Sequence, residues 1–142
     1  MLKMVEMELS RIIIDETREE QIIVLKEIKG KRIFPIIIGI YEAAAIDRKI
    51  KNIKTPRPLT HDLIINFVKA LNSSVTKVII NDIKKNTFYS RIFVKSNGKE
   101  IEIDSRPSDA IVLAVHLKVP IYVDEKILEE VGTISEDIQP LE

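Results

Sequence analysis

Cysteine is absent from the 142 residues of this chain. Disulfides, thiolate zinc sites and thiol nucleophiles are therefore excluded. Tryptophan is absent too, and three Tyr with four Phe leave little for a base-stacking platform. The four glycines are scattered and build no Gly-rich phosphate loop. No Gly-x-Ser-x-Gly elbow or paired-His metal motif occurs either. Neither sign of charge dominates: 22 basic and 22 acidic residues give a net charge of zero, which argues against a protein that holds nucleic acid by bulk charge. No apolar run is long enough to span a bilayer, and the opening residues do not read as a basic-then-apolar leader. The expectation is a cytoplasmic protein with no membrane partner.

What is present is 45% hydrophobic and 31% charged, the balance of a globular chain. A chain of this size buries about two thirds of its unfolded surface. One domain over 1–132 is expected, followed by an acidic, flexible tail over 133–142. The charges are unevenly placed. Arg48, Lys49, Lys51, Lys54 and Arg57 form a basic run with no acid among them. Beyond Pro120 the acids lead, with Asp124, Glu125, Glu129, Glu130, Glu136, Asp137 and Glu142 against Lys126 alone.

Val5, Met7 and Leu9 alternate with Glu6, Glu8 and Ser10, the period of a half-buried strand. Further strands are expected from Gln21 to Ile28 and from Arg32 to Ile38. Pro35 in the third suits an edge or a bulge. A helix follows Gly39, with Glu42 complementing its dipole and Ala43, Ala44 and Ala45 allowing close packing. After a loop from Asn52 to Leu59, Leu63, Ile64, Phe67, Val68 and Leu71 mark one face of a second helix. Strands over Thr76–Ile83, Thr87–Lys95 and around Ile101–Ile103 form another meander. Asn97-Gly98 is a hairpin turn, and Ile101 and Ile103 are expected to face inward. The helix from Ser108 to Leu117 is apolar over most of its circumference and should be central. Pro120–Val123 reads as a strand and Glu125–Val131 as a last helix. The fold class is α+β, two antiparallel meanders each leading into helices, with the hint of a distant internal duplication.

That hint comes from a repeated pattern. Arg57-Pro58-Leu59-Thr60-His61-Asp62 is echoed by Arg106-Pro107-Ser108-Asp109. In each, an Arg-Pro pair precedes a hydroxyl residue, an Asp and an apolar helical run. Thr60 and Ser108 read as N-caps, and Asp62 and Asp109 as first-turn acids. Capping alone accounts for these residue types. Two copies, one carrying a His, also suit a site. Arg57 and Arg106 would fork onto a phosphate, with Thr60 and Ser108 beside the same oxygens. His61 would carry a proton near neutral pH. Asp62 would orient it or bind a metal, and Glu42 and Asp109 would complete the catalytic set. Asp62, Asp104 and Asp109 are the oxygen ligands on offer for Mg²⁺ or Mn²⁺. His116, in an apolar helix, reads as structural. The two helix starts and Glu42 are expected to converge on one site.

A longer series of short motifs runs in order along the chain. It comprises Pro35-Ile36-x-Ile38-Gly39, Glu42-Ala43-x-Ala45-Ile46, Arg57-Pro58-x-Thr60-His61-Asp62-Leu63, Phe88-Tyr89, Ile103-Asp104-x-Arg106-Pro107-Ser108-Asp109-Ala110-Ile111, Leu113-Ala114 and Pro120-Ile121-Tyr122-Val123. This series, from about Val5 to Val131, resembles the bifunctional nuclease family. The resemblance implies an α+β fold, cleavage of both DNA and RNA, and self-association, most simply as a two-fold dimer. The alternative is a non-catalytic module that holds a phosphate-bearing ligand or a partner at the same helix starts. Zero net charge and few aromatics favour that alternative; the clustered acids and the resemblance favour the nuclease.

Overall fold

The computed structural model describes residues 3–134. Its first meander comprises β1 (Met4–Ile13), β2 (Glu20–Glu27) and β3 (Arg32–Gly39), followed by helices α1 (Ile40–Ile50) and α2 (Thr60–Ala70). The second comprises β4 (Ser74–Lys84), β5 (Thr87–Ser96) and β6 (Lys99–Ser105), followed by α3 (Pro107–Leu117). Then come β7 (Ile121–Asp124), α4 (Glu125–Val131) and a two-residue strand, β8 (Thr133–Ile134). β8 pairs with Arg32 and Ile33 at the start of β3. It takes up the first two residues of the expected tail; 135–142 lie outside the described residues.

All eight strands join one sheet in the order β6-β5-β4-β7-β1-β2-β3-β8. Every pairing is antiparallel except β4 with β7. The two meanders thus flank β7, each with its first strand innermost. β7 runs parallel to β4 and antiparallel to β1, so the meanders run in opposite senses. α3 follows β6 directly, as α1 follows β3, so the meander arrangement matches α3 with α1, whereas the repeated Arg-Pro pattern opens α2 and α3. Pro35 pairs inward with Val24 and lies beyond the reach of β8, on the open side of β3, where a missing N–H breaks no ladder.

The hairpin turns follow from local chemistry. Asn97 and Gly98 both take positive φ, +52° and +74°, as a type I′ turn requires. The β4–β5 turn does the same without glycine, through Lys85 and Asn86 at +51° and +63°.

α3 is the centre of the molecule. Ala110, Ile111, Val112, Leu113 and Ala114 are all buried, as a helix apolar on every side must be. Phe34 of β3 touches Phe88 of β5 with ring centroids 5.6 Å apart, although four strands separate them in the sheet. The sheet therefore curls round α3. Small residues on α1 (Ala43, Ala45) are buried as well and let α1 lie close on α3.

One apolar face is less covered than its period suggests, and one expectation of burial is corrected. On α2 only Ile65 is fully buried, while Phe67 and Leu71 are 61% and 70% exposed. On β6, Ile101 and Ile103 are 47% and 46% exposed. Among the described residues β6 is an edge strand with no neighbour beyond it, and α2 leaves a cleft over this part of the sheet. Amphipathic periodicity shows that a face is apolar, not what covers it.

At the far end, Arg32 ties α4 to the first meander. Its guanidinium meets Glu27 at 2.8 Å and Glu125 at 2.8 Å. Hydrogen bonds from Arg32 lead the causes that hold both carboxyls below the usual glutamate range. A depressed folded-state pKa stabilises above the unfolded value and loses that contribution as pH falls through the folded one. Stability is therefore expected to decline below about pH 4.5. Arg32→Ala should cost about 1.5–3 kcal/mol at neutral pH, because two partly buried carboxylates lose their charged donor. In the variant the acid-dependent loss should shrink. Denaturant unfolding at pH 7 and pH 3.5 checks both.

Candidate active site

Three helix starts converge. β3 delivers α1, β6 delivers α3, and the 51–59 loop brings in α2. Glu42 lies in the first turn of α1, His61 and Asp62 in that of α2, and Asp109 in that of α3. Three positive helix ends meet here, each with its own acid.

The cap assignments shift, by one residue for α2 and by two for α3. Leu59 and Arg106, not Thr60 and Ser108, occupy the N-cap positions. Asp62 supplies the cap bond of α2 by accepting from the Leu59 amide at 3.0 Å. α3 begins with Pro107 at its first position, where a missing N–H costs nothing. Ser108 is buried and lines a different cleft, between β3 and the start of α3. Thr60 remains exposed beside His61.

The histidines, two in number, form a reciprocal arrangement. His61 Nε2 on α2 lies 2.9 Å from Asp109 Oδ1 on α3. Next to it, Asp62 Oδ1 on α2 lies 3.6 Å from His116 Nδ1 on α3. Asp109 and His116 are seven residues apart, two turns along one helix face. His116 Nε2 donates to the Ala45 carbonyl at 3.2 Å. Both nitrogens of His116 are thus occupied. His61 differs: Asp109 accepts its Nε2 proton, and its Nδ1 has no partner among the described residues. In the neutral ring the free lone pair is on Nδ1.

Arg106 joins the other acids. Its Nε and Nη2 donate to Asp109 Oδ2 at 2.9 and 2.8 Å, and Nη2 also reaches Glu42 Oε1 at 3.0 Å. The bond to Asp109 is the first cause that holds the guanidinium still more firmly protonated. Its Nη1 has no partner among the described residues, and the side chain is 67% exposed. Gly39 makes this possible: a Cβ there would collide with the Glu42 carboxylate folded back over it.

The basic run forms a wall beside this cluster. Arg48, Lys49, Lys54 and Arg57 line a concavity with His61, Asp62 and His116. None of the four makes an ion pair with a described residue, whereas Lys51 pairs with Asp47 at 3.0 Å. Sequence reasoning reads His116 as structural and gives no role to Tyr41, which stands 84% exposed at the edge of His61's surroundings. No local signal marks either residue; only the packing of α3 against α1 and α2 does.

The suggested metal set is not assembled. Asp62 caps α2, Asp109 is held by His61 and Arg106, and Asp104 sits 3.5 Å from Arg91 on β5. Among the described residues no three His, Cys, Asp or Glu side chains group as cation ligands. As arranged, they do not fit an Mg²⁺ or Mn²⁺ cage. Nor is any helix among the described residues long and apolar enough to cross a membrane.

The bifunctional nuclease domain model matches residues 23–136, a span holding all three helix starts. The chain belongs to the bifunctional nuclease domain family. It is 38% identical over 124 residues to an uncharacterized protein of Mycobacterium tuberculosis, covering 87% of this chain and 74% of that one. It is 28% identical over 116 residues to bifunctional nuclease 1 of Oryza sativa, covering 80% of this chain and 35% of the plant protein. With bifunctional nuclease 2 of the same species the identity is 29% over 126 residues, covering 86% and 39%. The bifunctional nuclease domain here thus spans little more than a third of each plant relative.

Proposed function

We propose that the site hydrolyses phosphodiester bonds of DNA and RNA, with His61 as general base. The observation that carries this is the His61–Asp109 pair, whose Nδ1 is open beside a wall of unpaired cations. Arg106 Nη1 and Arg57 neutralise the phosphate without giving up a proton. His61 Nδ1 takes the proton of the attacking water, or of the 2′-hydroxyl on RNA. Asp109 steadies the imidazolium that forms. Asp62 and His116 hold α2 against α3 and so keep His61 in place. The plant relatives bear the name bifunctional nuclease, which supports the same reading.

The test is a cleavage assay on single-stranded RNA and DNA, with and without added Mg²⁺, using protein carried through a further column. Activity that co-elutes with the protein is the expected result. Activity that separates from it overturns the proposal and leaves the alternative, a phosphate-binding module. Arg48→Ala with Arg57→Ala should weaken binding of an oligonucleotide regardless of its sequence. The salt dependence should flatten by about one unit of slope for each phosphate no longer neutralised. Titration at several salt concentrations measures this.

Self-association belongs to the same reading. Leu63, Phe67 and Leu71 recur every four residues along the outer face of α2 and are all exposed. Antiparallel packing on a two-fold axis at Phe67 would set Leu63 of one copy against Leu71 of the other, which suits a second copy of this chain. Phe67→Asp should convert a dimer to a monomer in light scattering; a wild-type monomer at micromolar concentration would contradict the assignment.

A further inference from the structure

A second cleft opens on the other side of His61. It has a volume of about 610 Å³, within the range of small-ligand sites. Its walls are Ile64 and Val68 of α2, Val75 of β4, Ile92 of β5, Ile103 of β6 and Leu113 of α3. Its mouth carries His61, Arg106 and Asp109, with Tyr41 beside them. This hollow exists because α2 stands off the sheet. Ile64 and Val68 line the hollow from the helix side, and Val75 and Ile92 from the sheet side.

The two clefts differ in chemistry. The one lined by Arg48, Lys49, Lys54 and Arg57 suits phosphates. The one under α2 has an apolar interior, which a phosphate would not enter. His61 borders both. Resting on the nuclease reading above, we infer that the cleft under α2 takes one unpaired nucleobase next to the scissile phosphate, so that the site acts on single-stranded nucleic acid. The apolar face of a flat ring matches the apolar walls, and Tyr41 offers a surface for stacking at the mouth. A base inside a duplex is covered by its stacked neighbours and cannot reach such a cleft without being flipped out. Thr60, Asp104 and Ser105 also line the cleft and supply polar groups for the edge of a bound base. The apolar walls contact the ring face that every base presents, so one cleft can serve purines and pyrimidines of DNA and RNA alike.

The experiment compares three substrates of one sequence with the wild-type protein: a single strand, the perfect duplex, and a single strand with one abasic position. The single strand should be cut at least ten times faster than the duplex. The abasic strand should show a gap in its cleavage ladder at one phosphate flanking the missing base. Ile103→Trp narrows the cleft from a half-exposed edge strand, where the fold tolerates bulk. It should lower kcat/KM on the single strand about tenfold. Duplex cut as fast as single strand, or an unbroken ladder through the abasic position, overturns the inference while leaving the nuclease standing. No cleavage of any substrate overturns the nuclease reading itself.

Discussion

His61→Ala is expected to reduce cleavage of DNA and RNA by about 10²–10⁴-fold, the usual contribution of a general base. Little else should change. Asp109 keeps its two bonds from Arg106, so the melting temperature should stay close to wild type. Asp109→Asn should be almost as damaging, for a different reason. Arg106 requires an oxygen acceptor, so the amide oxygen will take that side and its NH₂ will face His61 Nε2. That geometry forces the ring proton onto Nδ1 and removes the lone pair that acts on substrate. Asp62→Asn is the control. From sequence, Asp62 is expected to orient His61 or bind a metal, and Asp62→Asn to remove most cleavage. The structure gives that role to Asp109 and leaves Asp62 capping Leu59 and facing His116. Its amide variant should cost about 0.3–1 kcal/mol of stability and leave cleavage within a few-fold of wild type. Rates and melting temperatures of the three variants decide the matter: strong loss in Asp62→Asn with full activity in Asp109→Asn would reverse the assignment.

Arg106→Ala carries the second large effect. It removes the cation shared by Glu42 and Asp109 and the open Nη1 that would meet phosphate. Loss of one fixed electrostatic donor of this kind lowers rates by about 10²–10³-fold. The melting temperature should fall as well, since two carboxylates are left facing each other. Glu42→Gln in the same background should recover the melting temperature without recovering cleavage. Arg106→Lys should recover charge but not the fork that spans Glu42 and Asp109, and so restore only part of the rate. A double variant no more stable than Arg106→Ala would show that the two acids do not repel through the missing guanidinium.

The order of elements was legible from sequence because each rests on local rules. Alternation marks β1, positive-φ turn residues mark the hairpins, and an apolar circumference marks α3 as central. So was the convergence of the two Arg-Pro helix starts, which the repeated pattern suggested and the His61–Asp109 contact shows. Three features were not legible. Leu63 and Phe67 on α2, and Ile103 on β6, carry the pattern of a buried face, yet lie exposed. The α2 cap slipped by one residue, and the α3 cap by two because Pro107 can start a helix as readily as precede it. The pairing of His61 with Asp109, and of Asp62 with His116, joins residues 48 and 54 positions apart in the chain.

The sequence by itself determined the order of elements from β1 to α4, the α+β class, the absence of thiol chemistry and the small set of side chains from which a site can be built. Those properties depend on neighbours a few positions away. The tertiary structure alone decided which acid faces which histidine, which nitrogen remains open, and that α2 stands off the sheet to leave a cleft. These depend on how the curled sheet sets three helix starts against one another, and side-chain contacts across such distances follow from packing of the whole chain, not from any local period.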